Sequence, residues 1–440
     1  MPWHLSAAYL FAWAITLPPV QAQPASTNYV LWVSTDRTNA LYHQREPVVF
    51  NIRLQLDDQP VSNGEVHWKI TKDGVPPTTT GKAKLVNGSA QVSGRLDEPG
   101  FLQCTVTYSS PTGQKRSAIA GAGVDPLLIK PSLPVPEDFV AFWSAQKQKL
   151  AAVPVNARIT PVKWNKPGVE CFDVQADCVG APVSGYFARP KGASRGSLPI
   201  ILTVQGAGVR TSTLGGTAGW AKDGFLAMDI NAHGLPNGKP DKFYEDLANG
   251  DLKEYRTAGR ESRESVYFLG MFLRVVRAID FLTSQPEWDQ RTLIVHGSSQ
   301  GGAQSFVAAG LDPRVTFFAA GVPAMCDHTG GVIGRICGWP RFVPEGPDGK
   351  PDPKVVEVSR YYDCVNFASQ ATCPSIVTVG FIDPTCPPTS VYAAYNALKG
   401  KKEIFNDPPS VHKVSPGAAN AMRTAILDHA SAMKQKAAKP

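Results

Sequence analysis

The chain has 440 residues, 43% of them hydrophobic and 18% charged, with a formal net charge of +7. That is enough apolar material for a large core in roughly two or three domains, which excludes a disordered or fibrous chain. The positive excess forms no long basic run, which argues against a nucleic-acid partner, and the eight cysteines form no closely spaced doublets of the kind that hold a metal.

Residues 1–22 read as a secretory signal. An apolar stretch over residues 7–17 is followed by Pro18 and Pro19 and then by the small-residue cleavage pattern Val20-Gln21-Ala22. Its leading residues include His4 but no Lys or Arg. The run is too short to cross a bilayer, and no later segment reads as a membrane span, so a secreted or periplasmic protein beginning near Gln23 is expected.

From Asn28 to about Gly123 the pattern is that of short strands. Val48-Phe50-Ile52-Leu54 and Val66-Trp68-Ile70 alternate with polar residues, and the breaks carry Asp-Gly, Asn-Gly and Pro-Gly. Five or more strands without a helix predict an all-β, immunoglobulin-like sandwich over residues 23–125. His43 and His67 lie there without a clustered acid or nucleophile, so no catalysis is assigned to this part. A proline-rich join near residues 124–136 follows, with no regular period. Residues 126–440 then alternate apolar runs such as "LPIILTVQG", "TLIVHGSS" and "PSIVTVGFID" with amphipathic stretches such as "SVYFLGMFLRVVRAIDFLTSQ". This predicts an α/β domain with a mostly parallel sheet covered on both faces.

Chemistry concentrates at Gly297-Ser298-Ser299-Gln300-Gly301, which fits G-x-S-x-G centred on Ser299 but not on Ser298. In that motif the nucleophile occupies a sharp turn from strand to helix, where side chains at the glycine positions would strike neighbouring backbone. A serine hydroxyl needs a base, and the base an acid, in the chain order Ser, Asp or Glu, His. Three histidines follow Ser299. His429 reads as a solvated residue of the last helix, and His328 precedes any later strand that could supply the acid. That leaves His412, in a loop before the final helix, as the base. Asp383, at the end of "SIVTVGFID", is the preferred acid over Asp363 and Asp407. Backbone N–H groups of Gln300 and of Ala207, in the Gly-rich loop Gln205-Gly206-Ala207-Gly208, are the candidate oxyanion donors. No cofactor is called for. Export permits disulfides, and Cys326 with Cys337 or Cys364 with Cys373 are local options.

"GSSQGGAQSFVAAGLDPRV", "YYDCVNFA", "GFIDPTCPPTSVYAAYNALKGKKEI" and the entry segment "PVPEDFVAFW" together resemble the acetyl xylan esterase and cephalosporin-C deacetylase family, carbohydrate esterase family seven, from about Pro134 to Ala430. The resemblance implies an α/β-hydrolase that removes acetyl groups from sugar hydroxyls, with Ser299, Asp383 and His412 on the triad positions. It also implies that Ala207 stands where the family has a tyrosine whose N–H is an oxyanion donor. The family's Arg-Gly-Gln motif reads Asn231-Ala232-His233 here, which makes His233 a candidate pocket residue, and its His-Glu pair reads His412-Lys413. A homo-oligomer stays open, as do a hydrolase of another ester or amide and a carbohydrate-binding protein with a vestigial site.

Overall fold

The computed structural model describes residues 28–438, so the segment read as a signal lies outside the described residues. Residues 29–124 carry strands and no helix: Tyr29–Thr35, Leu41–Tyr42, Val48–Leu56, Gln59–Pro60, Asn63–Lys72, Val75–Val86, Ser89–Gly94, Gly100–Ser109 and Lys115–Val124. Val48, Phe50, Ile52 and Leu54 are all buried on one face, as their alternation requires. The hairpins turn at Asp73-Gly74 and Asn87-Gly88, where all four residues have positive φ. Such two-residue turns match the right-handed twist of the strands they join, which is why Asp-Gly and Asn-Gly mark them. Val75–Val86 was not among the strands expected from the pattern. Pro76, Pro77 and the threonines 78–80 are exposed on both faces, so no alternation signals it.

The second part is built on a nine-stranded mixed sheet. In spatial order its strands are Arg158–Val162, Val169–Ala176, Val183–Pro190, Leu226–Ile230, Leu198–Val204, Trp288–Ser298, Phe317–Gly321, Ser375–Gly380 and Lys402–Asp407. The first three pair antiparallel and the third joins Leu226–Ile230 antiparallel; from there onward the pairing is parallel. The parallel strands are nearly continuous runs of buried residues because helices cover both faces. Tyr267–Thr283 and Gln300–Leu311 belong to one buried cluster with the sheet, and Met422 and Ile426 of the last helix close the other. No helix among the described residues is long and apolar enough to cross a membrane.

The two parts are in contact. The Phe101 ring packs 4.9 Å from Phe381 and 5.5 Å from Tyr392, and the Gln103 amide donates to the Phe381 carbonyl at 3.4 Å. A Cβ on Gly121 would lie 2.5 Å from that same carbonyl oxygen, so only glycine lets the strands come this close. The join is pinned as well, since Asn396 donates to the carbonyls of Pro126 and Ile129 at 2.9 and 2.8 Å.

Asp73, at a hairpin tip, is buried in this contact and accepts the Thr389 hydroxyl, while its second oxygen has no partner. Burial raises its carboxyl from 3.8 to about 7. The folded chain therefore keeps a proton that the unfolded chain loses near pH 4, and this group's contribution to stability declines as pH rises from about 4 to about 7. Asp73→Asn is expected to flatten that decline. Urea unfolding at pH 5 and pH 8 measures it: the variant should lose less stability between the two than the wild type.

Candidate active site

Strand Trp288–Ser298 ends against Ser299, whose backbone sits at φ 58° and ψ −122°, and helix Gln300–Leu311 begins at once. A non-glycine residue in that region is strained by roughly 1–3 kcal/mol. Close backbone approach holds the turn in place: a Cβ on Gly297 would fall 2.4 Å from the Val204 carbonyl oxygen, and one on Gly301 2.2 Å from it. The Ser299 N–H donates to Gly321 at 2.8 Å, and its carbonyl accepts from Ala324 at 3.0 Å.

Ser299, Asp383 and His412 are brought together. The Ser299 Oγ lies 2.9 Å from His412 Nε2, and His412 Nδ1 lies 2.8 Å from Asp383 Oδ2. Asp383 sits in the turn just beyond Ser375–Gly380 rather than in the strand. Its other oxygen accepts the N–H groups of Thr385 and Cys386 at 2.8 and 2.9 Å, which fixes the carboxylate's orientation. The loop bearing His412 crosses Gly380 so closely that a Cβ there would lie 2.4 Å from the Ser410 carbonyl. Asp383, Cys386 and His412 each bring a potential ligand atom within 4.8 Å of the others. The Asp383 and His412 groups are spent on each other and on Ser299, and burial pushes the Cys386 thiol up and keeps it protonated. A buried carboxylate bonded to the far nitrogen of an imidazole fixes the tautomer that can take a proton from the serine.

Gln300 opens its helix, so its N–H is one of those left without an intrahelical partner. Among the described residues the Ala207 N–H also has no protein acceptor. Its loop is tied down on three sides, by residues that sequence reasoning missed. Gln304 donates to the Gln205 carbonyl at 2.9 Å, and Gln205 donates to Asp229 at 2.7 Å. Arg210 donates to the Ala207 and Gly206 carbonyls at 2.9 and 3.0 Å. With their carbonyls drawn toward the guanidinium, successive peptide units turn their N–H sides the other way. A buried glutamine in the otherwise small, apolar run "GGAQSFVAAG" was the one available signal.

The remaining predicted residues fall elsewhere. His233 is not a pocket residue. It is 3% exposed behind the loop, hydrogen-bonds to Tyr267 at 2.8 Å and packs edge-on against Tyr255, whose hydroxyl donates to the Gln300 side chain at 3.0 Å. Burial, reinforced by Arg274, lowers its pKa to about 4, so it is neutral. His429 is half-buried: its ring stacks on Phe317 and bonds to Thr316. Asp363 accepts backbone N–H groups of Asp327, His328 and Val365. All eight cysteines are free, and Cys337 faces the His328 carbonyl rather than Cys326.

Ser299 opens onto a cleft of about 500 Å³ walled by Trp339, Val322, Thr385, Arg210 and Lys413. A larger hollow of about 600 Å³ lies at Phe317, Lys401 and His429, away from these groups.

A mainly parallel sheet with helices on both faces and a serine on a strand-to-helix elbow define an α/β-hydrolase. A family model described as acetyl xylan esterase (AXE1) matches residues 128–422. Acetyl esterase Axe7A of Xylanibacter ruminicola is 34% identical over 401 residues, covering 88% of each chain. The structure of an acetyl xylan esterase from a Paenibacillus species has a TM-score of 0.60 at 28% identity, covering 69% of this chain and 98% of that one. Acetyl xylan esterase 1 from a Thermoanaerobacterium species shares the fold, with a TM-score of 0.56 at 21% identity, over 69% of this chain and 97% of its own. The chain belongs to the acetyl xylan esterase family and is a carboxylic ester hydrolase.

The strain at Ser299 makes a measurable difference between two variants that both lack its hydroxyl. Glycine takes positive φ without steric cost, so Ser299→Gly should exceed Ser299→Ala in stability by about 1 kcal/mol in chemical denaturation. Equal midpoints would place the strain elsewhere.

Proposed function

We propose that the chain is an exported serine esterase that removes acetyl groups from acetylated xylan or xylo-oligosaccharides through an acyl-enzyme on Ser299. The observation that carries this reading is the unbroken hydrogen-bonded line from Ser299 through His412 to buried Asp383, at an elbow in a chain of this family. His412 takes the Ser299 proton as Oγ attacks the acetyl carbonyl, and Asp383 holds the imidazolium that forms. The oxyanion lies between the N–H groups of Gln300 and Ala207. Collapse breaks the bond to the sugar oxygen, which leaves with the proton from His412. Water, activated by the same imidazole, then attacks the acetyl-enzyme, releasing acetate and restoring Ser299.

That the Xylanibacter relative is an acetyl esterase, and the solved neighbours acetyl xylan esterases, supports the choice of acyl group and sugar. Residues 23–125 are read as an immunoglobulin-like sandwich domain and 126–440 as the catalytic domain, with residues 1–22 removed on export. A secreted product starting near Gln23 in amino-terminal sequencing supports the export reading; a product retaining Met1 overturns it.

Turnover of p-nitrophenyl acetate and acetate release from acetylated xylan test the assignment. Ser299→Ala should lose on the order of a millionfold in kcat, as removal of a triad nucleophile does, while Ser298→Ala keeps much of the wild-type rate. Near-normal turnover by Ser299→Ala would sink the assignment. Each added acyl methylene that fails to fit should cost roughly 1–3 kcal/mol in the transition state, so butyrate esters should be cleaved much more slowly than acetates. Equal rates on acetate and octanoate would instead mark a lipase-like or aryl esterase.

A further inference from the structure

The cleft above Ser299 is charged on one side only. Among its lining residues Arg210 and Lys413 are cations, and both are exposed. Neither forms an ion pair among the described residues. Among the described residues the carboxylates nearest the cleft are Asp383, whose side chain is fully buried and engaged with His412 and two backbone N–H groups, and Asp229, buried behind the loop and engaged with Gln205 and the Thr213 N–H. Neither forms an ion pair with a rim cation.

The two cations are placed differently. Arg210 is held by two carbonyls of the oxyanion loop, so its guanidinium has a fixed position with part of its donor fork left over. Lys413 directly follows the base, on a tight turn in which its N–H donates to the Val411 carbonyl at 2.6 Å. Its exposed side chain is a mobile point charge beside that fixed one. Two unneutralised positive charges on one cleft repel each other modestly, and an anion bound between them removes that repulsion. A neutral sugar does not use this feature.

We propose that the cleft selects acetylated sugars bearing a carboxylate, such as a uronic-acid substituent close to the acetylated position, with Lys413 and Arg210 as its counter-charges. This rests on the acetyl-sugar esterase reading above and narrows its substrate class. The carboxylate does not react. It holds the acetylated ring over Ser299, Arg210 taking it through its planar fork and Lys413 as a point charge. Because both cations face water, the attraction is screened within about 8 Å at physiological ionic strength and within about 3 Å at 1 M salt.

A matched pair of substrates tests this: an acetylated xylo-oligosaccharide carrying a uronic acid, and the same oligosaccharide after reduction of its carboxyl group to the neutral sugar. The ratio of kcat/KM, acidic over neutral, is measured at low salt and at 1 M salt for the wild type, Lys413→Gln and Lys413→Glu. The expected wild-type ratio is roughly fivefold to tenfold at low salt, falling toward one at 1 M salt. Lys413→Gln should lower it and Lys413→Glu should bring it below one. Arg210 is left unchanged because it also supports the oxyanion loop. Equal kcat/KM on both substrates, or a ratio that Lys413→Glu does not move, overturns the proposal while leaving the esterase reading intact. If neither oligosaccharide is deacetylated although aryl acetates are, the sugar-esterase reading fails and this one falls with it.

Discussion

The site depends on the approach of two backbones. The turn around Ser299 exists because Gly297 and Gly301 press against the Val204 carbonyl, at distances where a single Cβ would not fit. That contact locks the elbow to the neighbouring strand, so Ser299 keeps its unfavourable φ without any hydrogen bond from its own side chain to a cap. The same strand runs directly into the loop that carries Ala207. Ser299 and the Ala207 N–H, the proposed nucleophile and second oxyanion donor, are thus positioned by one crossing, and Gln304 and Arg210 fix the loop's orientation.

From this crossing the other groups follow by parallel register. Ser298 pairs with Gly321, and the next strands deliver Asp383 and His412 from successive connections at the same sheet edge. In an open parallel sheet the C-terminal ends of neighbouring strands converge on one edge, so groups more than a hundred residues apart in sequence become neighbours without a special device.

Much of this was legible beforehand because its causes are local. The glycines of the elbow and the long buried strands each carry their signature in a short window, and the order Ser, Asp, His is read along the chain from there. What escaped notice lacked one. The antiparallel strands Arg158–Val162, largely exposed, and Val169–Ala176, half-buried, carry charged residues, so they do not read as apolar runs. Arg210 resembles any surface arginine until the fold turns two carbonyls toward it. His233 was singled out by its place in a family motif, but its environment is set by Tyr255, Tyr267 and Arg274, which lie far along the chain. The placement of His429 against Phe317 is likewise a tertiary fact, invisible in a helix whose polar pattern suggested water on that side.

The contact between Phe101, Gly121 and Phe381 changes what counts as a module here. Composition divides the chain at its proline-rich join, yet Phe381 stands two residues from Asp383 and takes its cover from the front strands. A recombinant that exchanged the front sheet for a foreign one would have to reproduce a glycine-wide gap and an edge-on aromatic pair, or the turn holding the acid would lose its backing. Inheritance of the half that carries Ser299 therefore carries with it a constraint on the half in front of it. The match to the Xylanibacter esterase, spanning 88% of both chains, extends across that seam.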